Sequence, residues 1–489
     1  MNHRISTSSK ASVQVAGGAI ALAVAMAVGA TQLVGCGEDE ASSAPPPSRT
    51  GLFVSDLHFN PLDDEAIADR LAQAPASQWD SVFATSTKTT CSPYERDTNF
   101  PLLQSVLSAM RQQVPNPDII FVSGDLLVHE FQILYNSMVT NPSPAGYAAF
   151  VNTTEQYVAL KLSRTFPNAQ IVPTLGDWDS ANGNTSSYAA PEFLAAYASS
   201  WNAAVNRHGG APDFLNTFST GGYYSTTLPI DPRGRLIVLY TQPWAAECTN
   251  GCAPGTGSLG DVELGWLSAQ LEDARRHGQR VWLLGHIPPG ISAAETLQNI
   301  SKGAACATAV APFWADGFSN QLYPLLANYR DMLTLGIFAH EHAEDYRIAR
   351  DASGDLILGV KLVPSVTPIE KSNPAFVQFT YDPNAGVIAD AQTWYLTNLS
   401  SAPTADTGVW ELEYDFDSTY REPALDSNGV AGVVTKILTE PNAQSAYTTF
   451  FPSSNPAGDP AGGFIPFLPY ACALNNVTVA DYAACYCGS

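Results

Sequence analysis

The sequence has few basic residues for its length. Lys and Arg together number 23 and Asp and Glu number 46, so the 489-residue chain has a formal net charge of -23. Because an acidic surface repels polyanions, we expect no broad nucleic-acid-binding surface. A phosphorylated substrate would need a local positive centre, and bound divalent cations supply one where side chains do not.

Long apolar runs are also missing after the first 35 residues, so we expect no membrane-spanning helix. Near the N-terminus, Arg4 and Lys10 precede an uncharged run of small and apolar residues from Val13 to Ala30. This order is typical of an export signal that is removed from the mature protein. We therefore predict a signal peptide over residues 1–35.

The stretch Leu33-Val34-Gly35-Cys36 resembles a bacterial lipobox. The resemblance implies that the chain is a lipoprotein, cut before Cys36 and lipidated there, with residues 36–49 as a flexible tether. Because Gly37 and not Asp follows the cysteine, it implies anchoring in the cell envelope, at the outer membrane or cell surface of a Gram-negative cell. The alternative is an ordinary signal peptide with an incidental cysteine.

Cysteine is scarce, with eight in the chain. In an oxidising compartment the cysteines beyond Cys36 predict disulfides, and their odd number leaves at least one unpaired. Cys248 and Cys252 are close enough for a loop disulfide, while Cys485 and Cys487 are expected to pair with more distant partners. No histidine lies near either group, which favours structural bridges over a zinc knuckle. The remaining three cysteines are Cys91, Cys306 and Cys472.

Five short apolar runs each end in residues of metal-ligand type. The five motifs are Asp56-Leu57-His58, Gly124-Asp125 with His129, Gly176-Asp177-Trp178-Asp179, Gly285-His286, and His340-Glu341-His342. The runs predict buried strands, and ligands collect beyond the carboxyl ends of strands in open α/β sheets. Carboxylate oxygens and imidazole nitrogens suit zinc, iron or manganese, and one carboxylate can bridge two adjacent metals.

Between these runs the pattern predicts helices. Apolar residues recur at helical spacing over Phe100–Val114, with Asn99 as a cap, and over Asp261–His277. Residues 59–99 carry few periodic apolar residues and are expected to form a long loop at the site entrance. Residues 50–399 are the predicted catalytic domain, and residues 400–489 a cysteine-containing C-terminal extension packed on it.

The order and residue types of the five motifs resemble the calcineurin-like metallophosphoesterases. The match is closer to the acid sphingomyelinase-like and endopolyphosphatase-like phosphodiesterase branch. It rests on His286-Ile-Pro-Pro-Gly290, on the spacing from Gly124 to His129, and on Asn373-Pro-Ala-Phe376 with Tyr381-Asp382. The resemblance implies an α/β fold, a four-layer α/β/β/α sandwich of two mixed β-sheets flanked by helices, with a C-terminal extension.

The resemblance also implies two divalent metal ions, with zinc first and iron or manganese as alternatives. Asp125 would bridge them, Asp56, His58 and His342 would complete one position, and Asp177, His286 and His340 the other. A hydroxide shared by the metals would attack a phosphodiester or phosphoanhydride of a nucleotide, polyphosphate or phospholipid headgroup. The alternative is that these are strand-end polar residues with structural hydrogen bonds.

The third motif departs from the family pattern. Trp178 stands where a histidine usually protonates the leaving group, and Asp177 stands where asparagine is expected. We predict that His129 serves as the catalytic acid and contacts the phosphate, and that Trp178 forms part of the substrate wall. An indole does not donate a proton at useful pH, which favours phosphoanhydrides and activated diesters. The rival is a surface-tethered metal- or phosphate-binding protein with a degenerate catalytic site.

Overall fold

Two six-stranded sheets carry the fold. The computed structural model describes residues 49–182, 185–255, 257–455 and 466–488. The predicted signal peptide, Cys36 and the tether as far as residue 48 lie outside the described residues. The strands are β1 (Arg49–Val54), β2 (Ile119–Val122), β3 (Gln170–Pro173), β4 (Tyr224–Leu228), β5 (Asp231–Val238), β6 (Arg280–Leu284), β7 (Ile291–Ser292), β8 (Ala311–Pro312), β9 (Leu333–Phe338), β10 (Asp345–Arg350), β11 (Leu356–Leu362), β12 (Ala375–Asp382), β13 (Val387–Leu396) and β14 (Trp410–Asp415).

Both large sheets mix parallel and antiparallel strands. The first has the order β14-β13-β12-β1-β2-β3, and the second has the order β10-β11-β9-β6-β5-β4. In the first sheet β1, β2 and β3 run parallel. In the second, β5, β6, β9 and β11 run parallel between antiparallel edge strands. The predicted pair of mixed sheets is confirmed.

The sheets pack face to face through large apolar side chains. The ring of Phe121 on β2 lies 6.2 Å from that of Trp282 on β6, which in turn lies 5.9 Å from Tyr381 on β12. All four residues of β2 and all six of β9 are buried. Such uninterrupted apolar strands are typical of parallel strands covered on both faces.

Helices cover the outer faces of the sheets, as predicted. They are α1 (Glu65–Gln73), α2 (Trp79–Phe83), α3 (Phe100–Gln113), α4 (Phe131–Met138), α5 (Pro144–Thr165), α6 (Pro191–Val205), α7 (Phe214–Gly221), α8 (Leu259–Arg276), α9 (Ala293–Ser301), α10 (Cys306–Ala309), α11 (Asp316–Ala327), α12 (Phe416–Tyr420), α13 (Ser427–Thr439), α14 (Pro441–Phe450), α15 (Phe467–Asn475) and α16 (Val479–Tyr486). Helices α3 and α6 pack on the first sheet, and α8 and α13 on the second. None of these described helices has the length and apolar character needed to cross a bilayer.

The two predicted helices form close to their expected limits. In α3 the Asn99 side chain accepts a hydrogen bond from the backbone of Leu102, which caps the first turn. Helix α8 begins two residues before the predicted Asp261, because Ser258 and Asp261 form a reciprocal capping box. Hydrogen bonds of the capping side chains therefore determine the residue at which each of these two helices begins.

The prediction of a long loop over residues 59–99 is wrong. This segment contains α1 and α2, which are short and bury only part of their surface. Trp79 and Phe83 pack their rings against Tyr157 of α5, so tertiary burial stabilises α2. Short helices lack enough internal periodicity to be recognised from sequence, since packing supplies most of their stability.

The C-terminal 90 residues are joined to the rest of the fold by a strand and by a disulfide. The predicted domain boundary at residue 400 falls between β13 and β14, which pair in the first sheet. A disulfide joins Cys306 to Cys487, and a second joins Cys472 to Cys485. Cys248 and Cys252 form the predicted loop disulfide. Cys91 is buried and is the one free cysteine among the described residues.

Candidate metal centre

The metal-ligand residues follow parallel strands of both sheets. Asp56, Asp125 and Asp177 come after β1, β2 and β3, while His286 and His340 come after β6 and β9. Parallel strands present their carboxyl ends at one edge, and the two sheets are packed together, so five chain segments reach one place. The ligand cluster lies at this shared edge.

All seven predicted metal ligands meet there in two sets of four. One is the Asp56 set, formed by Asp56, His58, Asp125 and His342; the other is the Asp177 set, formed by Asp125, Asp177, His286 and His340. Within each set the ligand atoms lie within 4.8 Å of one another. Asp125 belongs to both, which is the position required of a bridging carboxylate.

The imidazole rings of His58 and His286 are oriented by hydrogen bonds from the nitrogen that points away from the cluster. The Nδ1 atom of His58 donates to the Leu127 carbonyl at 2.9 Å, and that of His286 donates to the Ser123 carbonyl at 2.7 Å. Each leaves Nε2 directed at the carboxylates. Such backbone contacts set the tautomer and ring orientation of a metal ligand.

Five of the ligands have left-handed backbone conformations. The φ angles are 47° at Asp56, 37° at His58, 53° at Asp125, 75° at His340 and 53° at His342. This region is unfavourable for residues other than glycine, and such strain concentrates at functional sites. The sharp bends direct both the carboxylates and the imidazoles inward from the strand ends.

Two glycines let the motif loops approach each other closely. Gly124 has a φ of 94°, and a Cβ there would lie 2.7 Å from the backbone nitrogen of Gly176. A Cβ on Gly176 would collide with the Asp125 carboxylate. The glycine before each aspartate therefore allows the bridging carboxylate to pack against the third motif.

Burial and charge shift the pKa values of the metal-free ligands strongly. Burial lowers the pKa of His58, but the carboxylates of Asp125, Asp97 and Asp56 outweigh burial and raise it to about 9. Asp177 similarly outweighs burial at His340 and raises the pKa of that ring to about 9. At His342, burial and the neighbouring histidines lower the pKa well below the usual value. The cluster without metal ions therefore retains protons that bound cations would displace.

The residues present fit two divalent cations. Both carboxylate oxygens of Asp56 and Nε2 of His286 are buried without a hydrogen-bond partner among the described residues. His286 Nε2 lies 3.0 Å from Asp177 Oδ1 and 3.2 Å from Asp125 Oδ2. These two contacts lack hydrogen-bond geometry, and the nitrogen is directed at the space between the two carboxylates. Buried polar atoms of this kind need a partner, and a cation coordinated by several of them supplies it.

Asp179 connects the second and third motifs. Its Oδ1 accepts hydrogen bonds from the backbone N–H groups of Leu126 and Leu127, and its Oδ2 accepts from that of Gly176. Burial and then the Asp179 carboxylate raise the pKa of Glu155 well above its usual range. Asp179 therefore positions the ligands without joining either set.

His129 lies beside the Asp56 set and is held there by Asp97. Its ring stacks on His58 with centroids 3.8 Å apart, and its Nδ1 lies 2.9 Å from Asp97 Oδ1. Asp97 also accepts hydrogen bonds from the His129 backbone and the Thr367 hydroxyl. Nε2 is thus the ring nitrogen of His129 that remains for a substrate.

A cavity of about 790 Å³ opens beside the cluster, with Asp125, Asp177, His129, His340 and His342 in its wall. Trp178 also lines it, as predicted for a substrate wall, and its ring contacts that of His129 at 5.0 Å. Trp201 and Trp244 are fully buried and belong to the core. The cavity size suits a small organic substrate.

Sequence reasoning gave no role to Asp97 and Asp179. Asp97 comes from the segment expected to be a loop, and no spacing rule connects it to His129. Asp179 was visible within its motif, since an acidic residue two positions after a ligand can bind neighbouring backbone N–H groups. Asp179 supports the metal ligands and Asp97 supports His129, both from outside the coordinating sets.

The site defines a class: a two-sheet α/β protein whose strand ends supply ligands for two metal ions. Acid sphingomyelinase-like phosphodiesterase 3b from Mus musculus is 26% identical to the chain over 445 residues, which cover 89% of each protein. The Homo sapiens protein of that name is 24% identical over 404 residues, which cover 80% of this chain and 81% of that protein. Cyclic GMP-AMP phosphodiesterase SMPDL3A from Homo sapiens is 24% identical over 332 residues, which cover 65% of this chain and 67% of that protein. The chain is a homologue of the acid sphingomyelinase-like phosphodiesterases, as its motifs predicted.

No protein-family model matches the chain. Solved structures that align with the chain include a dimetal phosphatase from Danio rerio, 11% identical, covering 74% of this chain and 98% of that one, with a TM-score of 0.38. PhoD is 12% identical, covering 76% of this chain and 70% of that one, with a TM-score of 0.41.

Proposed function

We propose that the chain hydrolyses phosphodiesters of small organic molecules at two divalent metal ions. The observation that carries the proposal is the meeting of seven carboxylate and imidazole ligands in two sets around Asp125. Its relatives are phosphodiesterases, and this homology together with the ligand cluster supports a phosphoesterase. Mixed oxygen and nitrogen ligands favour zinc, with iron or manganese as alternatives.

In this proposal each side chain has a defined task. Asp56, His58 and His342 would hold one ion, Asp177, His286 and His340 would hold the other, and Asp125 would serve both. When bound, such ions neutralise the phosphate oxygens and activate water for attack. The strained backbone and the hydrogen bonds to Leu127 and Ser123 keep the ligands oriented before the substrate arrives.

His129 supplies the leaving-group proton in our proposal. With Nδ1 paired to Asp97, the imidazolium can donate from Nε2 to the departing oxygen in the cavity. Trp178 cannot do this chemistry, but its ring lies against His129 and forms part of the cavity wall. The loss of a histidine from the third motif is therefore offset by one from the second.

Turnover of bis(p-nitrophenyl) phosphate tests the proposed reaction. The purified chain is stripped with a chelator and then reloaded separately with zinc, manganese or iron. We expect no turnover without metal and restored turnover with at least one of the three ions. Two bound metals without turnover of this diester would contradict hydrolysis and support the rival binding protein.

We also propose that the exported chain is anchored to the cell envelope through lipidated Cys36. The lipobox-like sequence before Cys36 supports this location. Mass spectrometry of the mature N-terminus in a Gram-negative host should find a diacylglyceryl cysteine at position 36. An unmodified residue at the mature N-terminus, or cleavage at another position, would contradict the anchor.

A further inference from the structure

The cavity has two different sides. One side carries the metal ligands, and the other is formed largely by α9, together with the chain just before Cys248. Ala294, Leu297 and Gln298 of α9 line this outer wall. A phosphate bound at the ligand cluster would therefore extend an organic arm toward α9.

Negative charge dominates the cavity beyond the metal ligands. Its described lining residues include the carboxylates of Glu247, Glu295, Glu341 and Glu370 and no Lys or Arg. Arg347 lies 3.8 Å from Glu341 and partly neutralises that carboxylate. Glu247 and Glu295 have no ion-pair partner within 4.0 Å in the described part of the chain.

Glu247 and Glu295 contribute negative charge to the same region of the cavity. Burial, and next the nearby Glu247 carboxylate, raise the pKa of Glu295, while His340 of the Asp177 set lowers it. Glu295 therefore lies close enough to interact electrostatically with both Glu247 and the metal ligand His340. The Thr185 hydroxyl donates to Glu247 at 3.1 Å and holds that side chain in place.

We propose, on the basis of the phosphodiesterase function proposed above, that Glu247 and Glu295 select substrates by the charge of one arm. This arm is the organic group that stays esterified to the phosphate when the leaving group departs. The two glutamates repel an arm with a further negative charge, as in polyphosphates and nucleoside polyphosphates, and accept a neutral or cationic arm. Bound metal ions would attract the reacting phosphate whatever its arm. The carboxylates of Glu247 and Glu295 therefore discriminate between substrates by the charge of the arm alone. This selection opposes the preference for phosphoanhydrides that the third motif alone suggested, because polyphosphates and nucleoside polyphosphates carry negatively charged arms.

Three p-nitrophenyl phosphodiesters with one leaving group isolate this effect. Their second arms are choline, ethyl and 2-carboxyethyl, which carry positive, zero and negative charge. With the metal-loaded full chain at low salt, kcat/KM should fall in that order. High salt should compress the differences, because screening weakens interactions between exposed charges.

Substitution of the two glutamates identifies their contribution. The double variant Glu247→Gln/Glu295→Gln keeps the side-chain shapes and should reduce the choline-to-carboxyethyl ratio of kcat/KM by about tenfold. Hydrolysis of the ethyl ester should change less than about twofold, because its arm is neutral. Glu247→Lys/Glu295→Lys should reverse the ranking. The matched control Glu192→Gln/Glu411→Gln removes the same charge from exposed positions outside the cavity and should leave the ratio unchanged.

The outcomes separate the two proposals. Equal kcat/KM for all three arms, or a ratio that is the same in the Gln, Lys and control variants, would overturn charge selection while ethyl-ester turnover still supports the diesterase. Absence of turnover for every ester by the wild-type chain would overturn both.

Discussion

The two ligand sets have the same composition but differ in exposure. Each combines two carboxylates with two imidazoles, since Asp177 stands where the family pattern has asparagine. In the Asp56 set the side chains of Asp56 and His58 are 0% exposed and that of His342 is 7% exposed. In the Asp177 set the His340 side chain is 25% exposed. The two ligand sets therefore differ in solvent accessibility and not in formal charge.

Access has consequences for how each metal behaves. Because His340 is more exposed than His342, a cation held by the Asp177 set should exchange with solvent faster than one held by the Asp56 set. Glu295 lines the same cavity and interacts electrostatically with His340. The buried Asp56 set instead provides the ring on which His129 stacks.

The largest expected effect comes from the residue shared by both sets. Asp125→Asn removes the bridging charge, so we expect loss of both metals and a fall in kcat/KM of about 10³ or more. Metal content and turnover of bis(p-nitrophenyl) phosphate measure this together. Retention of one tightly bound metal would show that the two sets bind metal independently, and would contradict the shared role of Asp125.

His129→Gln should come next and should depend on the leaving group. Loss of a general acid costs on the order of 10² to 10⁴ in rate when the leaving oxygen needs a proton. We expect that loss for alkyl diesters and little change for p-nitrophenyl esters. Trp178→His in the His129→Gln background should restore part of the rate, and equal losses for both leaving groups would contradict the role of His129.

Asp179→Asn should have a smaller effect, centred on ligand position. The change weakens three hydrogen bonds to the backbone around the second and third motifs. Losses of supporting groups usually cost about 10- to 100-fold in metal affinity or activity. Competition with a graded chelator measures the affinity, and unchanged affinity would show that Asp179 is not needed to position the ligands.

Asp177→Asn distinguishes the two sets directly. Removing one carboxylate should lower metal affinity about tenfold in the Asp177 set and leave the Asp56 set unchanged. Metal content after dialysis against increasing chelator should show one ion lost earlier than in the wild type. Simultaneous loss of both ions would contradict separate positions.

The smallest effect is on the stability of the metal-free chain. The pKa values of His58 and His340 are raised from 6.5 to about 9, so their stabilising contribution is complete below pH 6.5 and is lost as pH rises through about 9. The melting temperature of the metal-free protein should fall by several degrees over this window. The metal-loaded protein is the control and should fall less, and a rise for the metal-free protein would contradict the shifts.

Strand-end motifs made the ligand cluster predictable from sequence. Each ligand followed an apolar run, and parallel strands bring such ends together whatever the length of chain between them. Asp97 and Glu295 were not predictable in this way. Asp97 reaches His129 through packing of a segment without clear periodicity, and Glu295 reaches the cavity because the short helix α9 lies beside it.

The C-terminal strand shows the same limit. β14 pairs with β13 across the expected boundary at residue 400. Its sequence Trp-Glu-Leu-Glu-Tyr-Asp alternates apolar and acidic residues, which indicates a half-exposed strand. The alternation alone does not specify β13 as the partner, and pairing with this sheet edge gives the strand its place.

Anomalous diffraction from crystals of the zinc-loaded protein tests the central claim most directly. Our account predicts two peaks on either side of the Asp125 carboxylate, one coordinated by Asp56, His58 and His342 and the other by Asp177, His286 and His340. A single peak, or peaks away from these residues, would contradict it.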